Sequence, residues 1–271
     1  MNNMYKYLYG FKIYFLNAFQ YRFNTLIGLV FGNLRLLIFI VFWFLIYGGD
    51  MHKVLNGFTL PGIVTYLIIM DIFGGVVYTL RNSGFIYSAM IKNGSFGPAL
   101  LKPHNLNMNI YFRNLSESIP AAFPQLAFVV CIMPVAARYM IWDLSLVNAV
   151  SIFVFLAVGT VSAHLLCSLL GYMAFWMEEA NAVMWSFMVL FNIVSGFFLP
   201  IDFFPKWSVP ILEILPTSSW GYIQTKIYIG LYPLDKQIYL LAAQIIWIGI
   251  MLLANTAILR RGVKKFSSVG G

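Results

Sequence analysis

Charge is what this sequence has least of. Only 10% of its 271 residues are Asp, Glu, Lys or Arg, against about a quarter in soluble domains. Histidine is nearly absent too: His52, His104 and His164 fall in three different segments. The two cysteines, Cys131 and Cys167, both sit inside apolar runs and read as small buried hydrophobes, not as a disulfide or metal pair. There is no Gly-x-x-x-x-Gly-Lys-Ser/Thr loop, so ATP is not bound here by that device. His-Glu-x-x-His, Cys-x-x-Cys and Gly-x-Ser-x-Gly are equally missing. Catalytic residues and a metal site are therefore not assigned. No long polar stretch suggests a second, soluble domain, and neither an internal repeat nor a low-complexity segment stands out. The first residues lack the charged-then-apolar pattern of a cleavable leader, so the first apolar run is expected to be retained as a span.

What is there is grease. Hydrophobic residues make up 61% of the chain and aromatics 18%. A core of this size cannot hide that excess, so lipid must solvate much of it. The expected fold class is all-α: a polytopic membrane protein with six transmembrane helices, near 25–47, 61–82, 115–136, 145–175, 182–201 and 238–259. The third carries Pro120, Pro124 and Pro134 and is expected to be kinked or broken. Residues 1–24 read as an amphipathic helix lying in the interface, with Asn3, Lys6, Gly10, Asn17, Gln20 and Asn24 on one stripe. The six-span unit then occupies 25–260 and a basic tail 261–271. Segment 202–237 is too apolar for a free loop; it is read as short helices dipping back into the outer leaflet.

The net charge of +8 is explained by topology before nucleic acid is invoked. With both termini inside, eleven basic residues lie on the inner side: Lys6, Lys12, Arg22, Arg81, Lys92, Lys102, Arg113, Arg260, Arg261, Lys264 and Lys265. Five lie outside: Lys53, Arg138, Lys206, Lys226 and Lys236. That bias points to cytosolic termini and removes the need for a nucleic-acid partner.

Two charges sit at membrane depth, Arg35 in the first run and Asp71 in the second. A lone charge there costs roughly 2.5–3.5 kcal/mol. They are expected to pair, whether to line a path or merely to fix two helices; alternatively Arg35 snorkels to the inner surface. Glu178 and Glu179 read as a solvated helix end in a short cytosolic turn. Gly28-x-x-x-Gly32 would let helices approach closely. The most polar interruption lies at about 88–107, around Ile91-Lys92-Asn93-Gly94 and Leu100-Leu101-Lys102-Pro103.

These last stretches resemble the Ile-Arg-x-Gly…Leu-Leu-Arg-Pro cytosolic loop of type-2 ATP-binding-cassette (ABC) permeases, in the bacterial uncharacterised-export subfamily. Ser195-Gly196-Phe197-Phe198-Leu199-Pro200, then Phe204-Pro205-x-Trp207 and Leu215-Pro216, is similar to the ending of that family's fifth span. The basic ending from Arg260 to Gly271 is similar to its tail. Phe96-Gly97-Pro98 departs from the helix-friendly sequence expected within the loop. The resemblance implies a half-transporter in the bacterial cytoplasmic (inner) membrane. It would pair with a second permease half, identical or homologous, and with two copies of an ABC ATPase subunit. ATP and Mg would sit on that ATPase, leaving this chain without a cofactor. The loop would be the coupling element, with Ile91, Lys92, Gly94, Phe96, Leu100, Leu101, Lys102 and Pro103 as its residues. Phe96, Leu100 and Leu101 would form an apolar ridge for a groove on the ATPase. Arg35, Asp71 and Asn192 would be the polar residues of the substrate path, for a hydrophobic or amphipathic cargo such as a drug, peptide or lipid-linked molecule. The competing reading is an ATP-independent channel or secondary transporter, which usually carries more ionisable groups within the membrane. A membrane-embedded enzyme would need a polar cluster beyond Glu178-Glu179.

Overall fold

Long apolar runs with helix-capping residues at their starts dominate the chain, and the computed structural model is accordingly almost all helix. It describes residues 3–18, 22–142 and 144–269, with side chains at 9–17, 33–142 and 144–265. Eleven α-helices are described: α1 Asn3–Ala18, α2 Arg22–Tyr47, α3 Leu60–Leu80, α4 Ser83–Lys92, α5 Phe96–Leu100, α6 Leu106–Ala136, α7 Leu146–Gly171, α8 Ala180–Val194, α9 Val209–Ile214, α10 Tyr222–Tyr228 and α11 Leu234–Val269. Short 3-10 turns follow α6 and α7 and flank α9. There is no strand among the described residues beyond one isolated bridge between Leu55 and Phe58.

Caps set the starts. The Thr59 hydroxyl accepts from the Gly62 amide, the Asn105 side chain from Met108, and the Ser145 hydroxyl from Asn148. Four helical segments have the length and apolarity to cross a membrane: Leu60–Lys92, Leu106–Tyr139, Leu146–Phe175 and Leu234–Lys265. Their burial sorts them into layers. The apolar window of the first is 72% buried, that of the second and fourth only 22%. Helix α3 is therefore the centre, packed against α2, α6, α7 and α10. Helices α6 and α11 turn Val130, Val135, Ile245, Ile246 and Leu253 outward. Apolar faces of that extent suit lipid, not water.

Several expectations need correction. Of the kinked or broken third span, the broken form is removed: α6 runs as one helix through Pro120, Pro124 and Pro134. Helix α8 has only 15 residues and stops at Val194. At about 1.5 Å per residue it falls short of the roughly 30 Å hydrocarbon core. The stop is Gly196, whose φ of +81° belongs to the left-handed region. The Tyr66 hydroxyl locks that turn by donating to the Gly196 carbonyl at 2.7 Å. Cys131 is exposed on α6; Cys167 alone is buried.

Helix α1 packs along α6 and leaves Tyr9, Ile13 and Leu16 exposed on one stripe. The expected polar stripe is only partly visible: Gln20 and the side chains of Asn3, Lys6 and Asn24 lie outside the described residues, as do those of Gly28-x-x-x-Gly32.

Candidate functional site

The site begins where α3 ends. A two-residue break at Arg81 and Asn82 separates α3 from α4, and α4 then leads into the polar loop. Helix α4 lies unusually close to α7. A Cβ on Gly171 would sit 2.4 Å from the Gly84 carbonyl oxygen, and one on Gly84 would sit 2.5 Å from that of Cys167. Only glycine allows the two backbones to touch there. Polar contacts finish the seam. Ser83 Oγ meets His164 Nδ1 at 2.6 Å, and His164 Nε2 meets Asn107 Oδ1 at 2.6 Å. The Tyr87 hydroxyl also donates to Asn107 Oδ1, at 2.9 Å, and the Ser88 hydroxyl to Asn181 Oδ1 at 2.8 Å. Helix α4 is thus bolted to the starts of α6 and α8 as well as to α7.

The loop is anchored from within. Ile91 and Phe96 are buried beside Tyr87, Ile110, Tyr172 and Phe175. Gly94, at φ +76°, turns the chain, and Asn93 Oδ1 accepts from the Ser95 amide and hydroxyl at 3.0 and 2.6 Å. The five-residue helix α5 follows. Phe96 is 1% exposed and cannot belong to an outward ridge; Leu100 at 41% and Leu101 at 87% can. Lys92, Gly94, Lys102 and Pro103 are exposed around them. Phe96 holds the loop, and the two leucines present it.

Deeper in the bundle, Arg35 and Asp71 form the expected ion pair. The Arg35 guanidinium also lies 3.9 Å from the centroid of the Phe197 ring, and Nη1 donates to the Phe197 carbonyl at 3.5 Å. Asn192 is not with them. It accepts from Arg81 Nη1 at 2.7 Å, while Arg81 Nη2 donates to the Met188 carbonyl at 3.1 Å. Arg81 is 6% exposed, so it is a cation buried within the protein, not a solvated one at its surface. Its guanidinium stands 5.3 Å from the ring centroids of both Trp220 and Tyr78. Among the described residues no carboxylate pairs with it. A signal was present: Asp71, Gly74 and Tyr78 recur at helical spacing along one face of α3, and Arg81, just past its end, continues that spacing. A small cavity lies on that face, bounded by Gly74, Tyr78, Arg81, Asn192, Phe197 and Trp220. The arrangement carries one net positive charge in an aromatic setting, and the space beside it, about 10 Å³, is no larger than a water molecule needs.

In segment 202–237, Lys226 ties α10 to Asp202 in the turn before α9 at 2.8 Å, and Lys236 at the start of α11 pairs with Glu213 of α9 at 3.0 Å. Tyr222 and Tyr232 both donate to Glu213. The segment 202–237 is indeed a set of short helices, and its core side chains are buried: Trp220, Gln224 and Lys226 are each at most 6% exposed. Glu178 and Glu179 are exposed. Groups of three or more potential metal ligands are absent among the described residues.

A family model described as ABC-2 family transporter protein matches residues 34–270. No curated protein and no solved structure matches the chain.

Proposed function

The chain belongs to the ABC-2 transporter family, as a multi-pass membrane permease subunit, and on that premise we propose that it is half of an ATP-driven exporter moved through its 91–103 loop. The observation that carries this reading is the division of labour within the loop. Ile91 and Phe96 are rooted in an aromatic cluster, while Leu100 and Leu101 stand exposed. An exposed apolar pair flanked by Lys92 and Lys102 fits a groove with an acidic rim on a separate ATPase. Two ATPase copies, carrying ATP and Mg, close on nucleotide binding and push α5. Because α4 is bolted to α6, α7 and α8, that push moves these helices together rather than bending α4 alone.

Arg81 stands at the α3–α4 joint, so the same push reaches the Asn192 and Trp220 side of the bundle. The polar residues of the path are Arg35, Asp71 and Asn192, with Arg81 added to them. Six crossings are reached by counting α2 and the short α8 with the four long segments, the non-helical residues 195–201 carrying the chain onward from the end of α8. Both termini are then cytosolic, α1 lies in the inner interface, and 202–237 dips into the outer leaflet of a bacterial inner membrane. A second permease half, identical or homologous, completes the path. Aromatic side chains and a single surplus cation suit an amphipathic cargo.

The test is co-purification. An ATPase expressed with this chain is expected to stay bound to the wild type and to be lost from the Leu100→Asp, Leu101→Asp double variant. Equal retention by both refutes the coupling role.

A further inference from the structure

The C-terminal half of α11 packs on the bundle through Ile258, Leu259 and Val263, and two contacts fix it closely. Asn255 Nδ2 donates to the Leu165 carbonyl at 3.0 Å, and Gly262 presses on Phe175, where a Cβ would sit 2.2 Å from the ring. Between these contacts a neighbouring stripe of α11, Leu252, Thr256, Leu259 and Arg260, faces the loop and the start of α6 across a cavity of about 390 Å³. That size is in the range of small-molecule sites, about 300–1,000 Å³.

We infer that this cavity binds an anionic phospholipid of the inner leaflet. Tyr87, Phe96 and Tyr172 form a buried aromatic floor. His104, Asn105, Asn107, Thr256 and Arg260 supply the polar rim. No carboxylate lines the space, and among the described residues neither Arg260 nor His104 forms an ion pair. The Asn107 oxygen is already taken by Tyr87 and His164, so the part of Asn107 left for a ligand in the cavity it lines is its NH₂ group. The two ends differ in kind. Leu252 is 47% exposed at one end, next to Leu253 at 75%; Arg260 and Arg261 are exposed at the other. That gradient matches a molecule lying across the interface. Its phosphate meets Arg260, its ester and glycerol oxygens meet Asn107 and Thr256, and an acyl chain leaves along Leu252. The inference does not rest on ATP-driven export: a lipid seated here wedges α11 against the loop whatever moves the loop.

The shared chemistry is a phosphate monoanion, so the test separates its sources. The purified full chain is titrated with phosphatidylglycerol, phosphatidylcholine, glycerol phosphate and inorganic phosphate, and bound molecules are counted by native mass spectrometry. Phosphatidylglycerol is expected to bind one per chain, ahead of phosphatidylcholine, and neither free phosphate is expected to bind. Losing one charge-assisted contact weakens binding roughly tenfold, so Arg260→Gln is expected to show that loss, Arg260→Lys to recover much of it, and the exposed neighbour variant Arg261→Gln to bind as wild type. The bulky Thr256→Trp is expected to abolish binding. Variants are compared only where their lipid-free melting temperatures match the wild type, and Arg260→Gln, at an exposed position, carries the test if Thr256→Trp does not fold. Equal binding of the two lipids, equal losses in Arg260→Gln and Arg261→Gln, or full binding of inorganic phosphate alone would each overturn the inference.

Discussion

The seam between α4 and α7 makes a sharp prediction for Gly171→Ala. The added Cβ would lie 2.4 Å from the Gly84 carbonyl oxygen and 2.8 Å from its Cα, where ordinary contact begins at 3.4 Å. Both obstacles are backbone, so no side chain can swing away. The helices must part by about 1 Å, at a cost of about 1–3 kcal/mol for overpacking. Parting also stretches the Ser83–His164 contact beyond its 2.6 Å, which removes about 0.5–1.5 kcal/mol more. The expected total is roughly 2–4 kcal/mol, read as a lower unfolding temperature in detergent. In the fraction that remains folded, ATPase retention should fall as well, because the loop has lost its bolt to α7. Gly249→Ala is the control: nothing lies within 4 Å of that position on α11, so it should be neutral or stabilise by up to about 1 kcal/mol. If Gly171→Ala unfolds like the control and keeps its partner, the seam is not tight and the reasoning fails.

Other perturbations test other parts. Arg35→Met strands the buried Asp71 carboxylate and should cost about 3–5 kcal/mol in thermal unfolding; the Arg35→Asp, Asp71→Arg exchange should recover part of it. Asn192→Leu removes an acceptor from the buried Arg81 guanidinium and should cost about 1.5–3 kcal/mol, whereas Asn192→Asp should be tolerated. Lys226→Met leaves Asp202 with only the Tyr222 hydroxyl, so it should loosen 202–237 and speed proteolysis there. Trp207→Ala, at a residue 75% exposed, should leave unfolding unchanged while weakening any outer-leaflet contact, read as altered quenching of tryptophan fluorescence by lipid probes.

Hydrophobic runs made α3, α6, α7 and α11 legible, because helices long enough to cross lipid need little else. The Arg35–Asp71 pairing was legible for the same reason: two charges in apolar runs of opposite direction have few other partners. Arg81 was not, because a hydropathy window treats a cation at the end of a run as the boundary of the membrane. Its burial depends on Met188, Asn192 and Trp220, more than a hundred residues away in sequence. The end of α8 was missed because Phe197 to Ile201 stays apolar after the helix stops; Gly196 and its clasp by Tyr66 decide the matter. Phe96 looked like its leucine neighbours in composition, and only the packing of Tyr87, Tyr172 and Phe175 shows which way it turns.

The central claim is that Leu101 meets a nucleotide-hydrolysing neighbour. A photo-cross-linking residue at Leu101, 87% exposed in the loop, is compared in intact membranes with one at Leu253, 75% exposed on α11. Leu101 is expected to capture an ATPase in a nucleotide-dependent yield and Leu253 to capture none. If Leu101 captures no ATPase, or no more than Leu253 does, the loop is not the point of coupling.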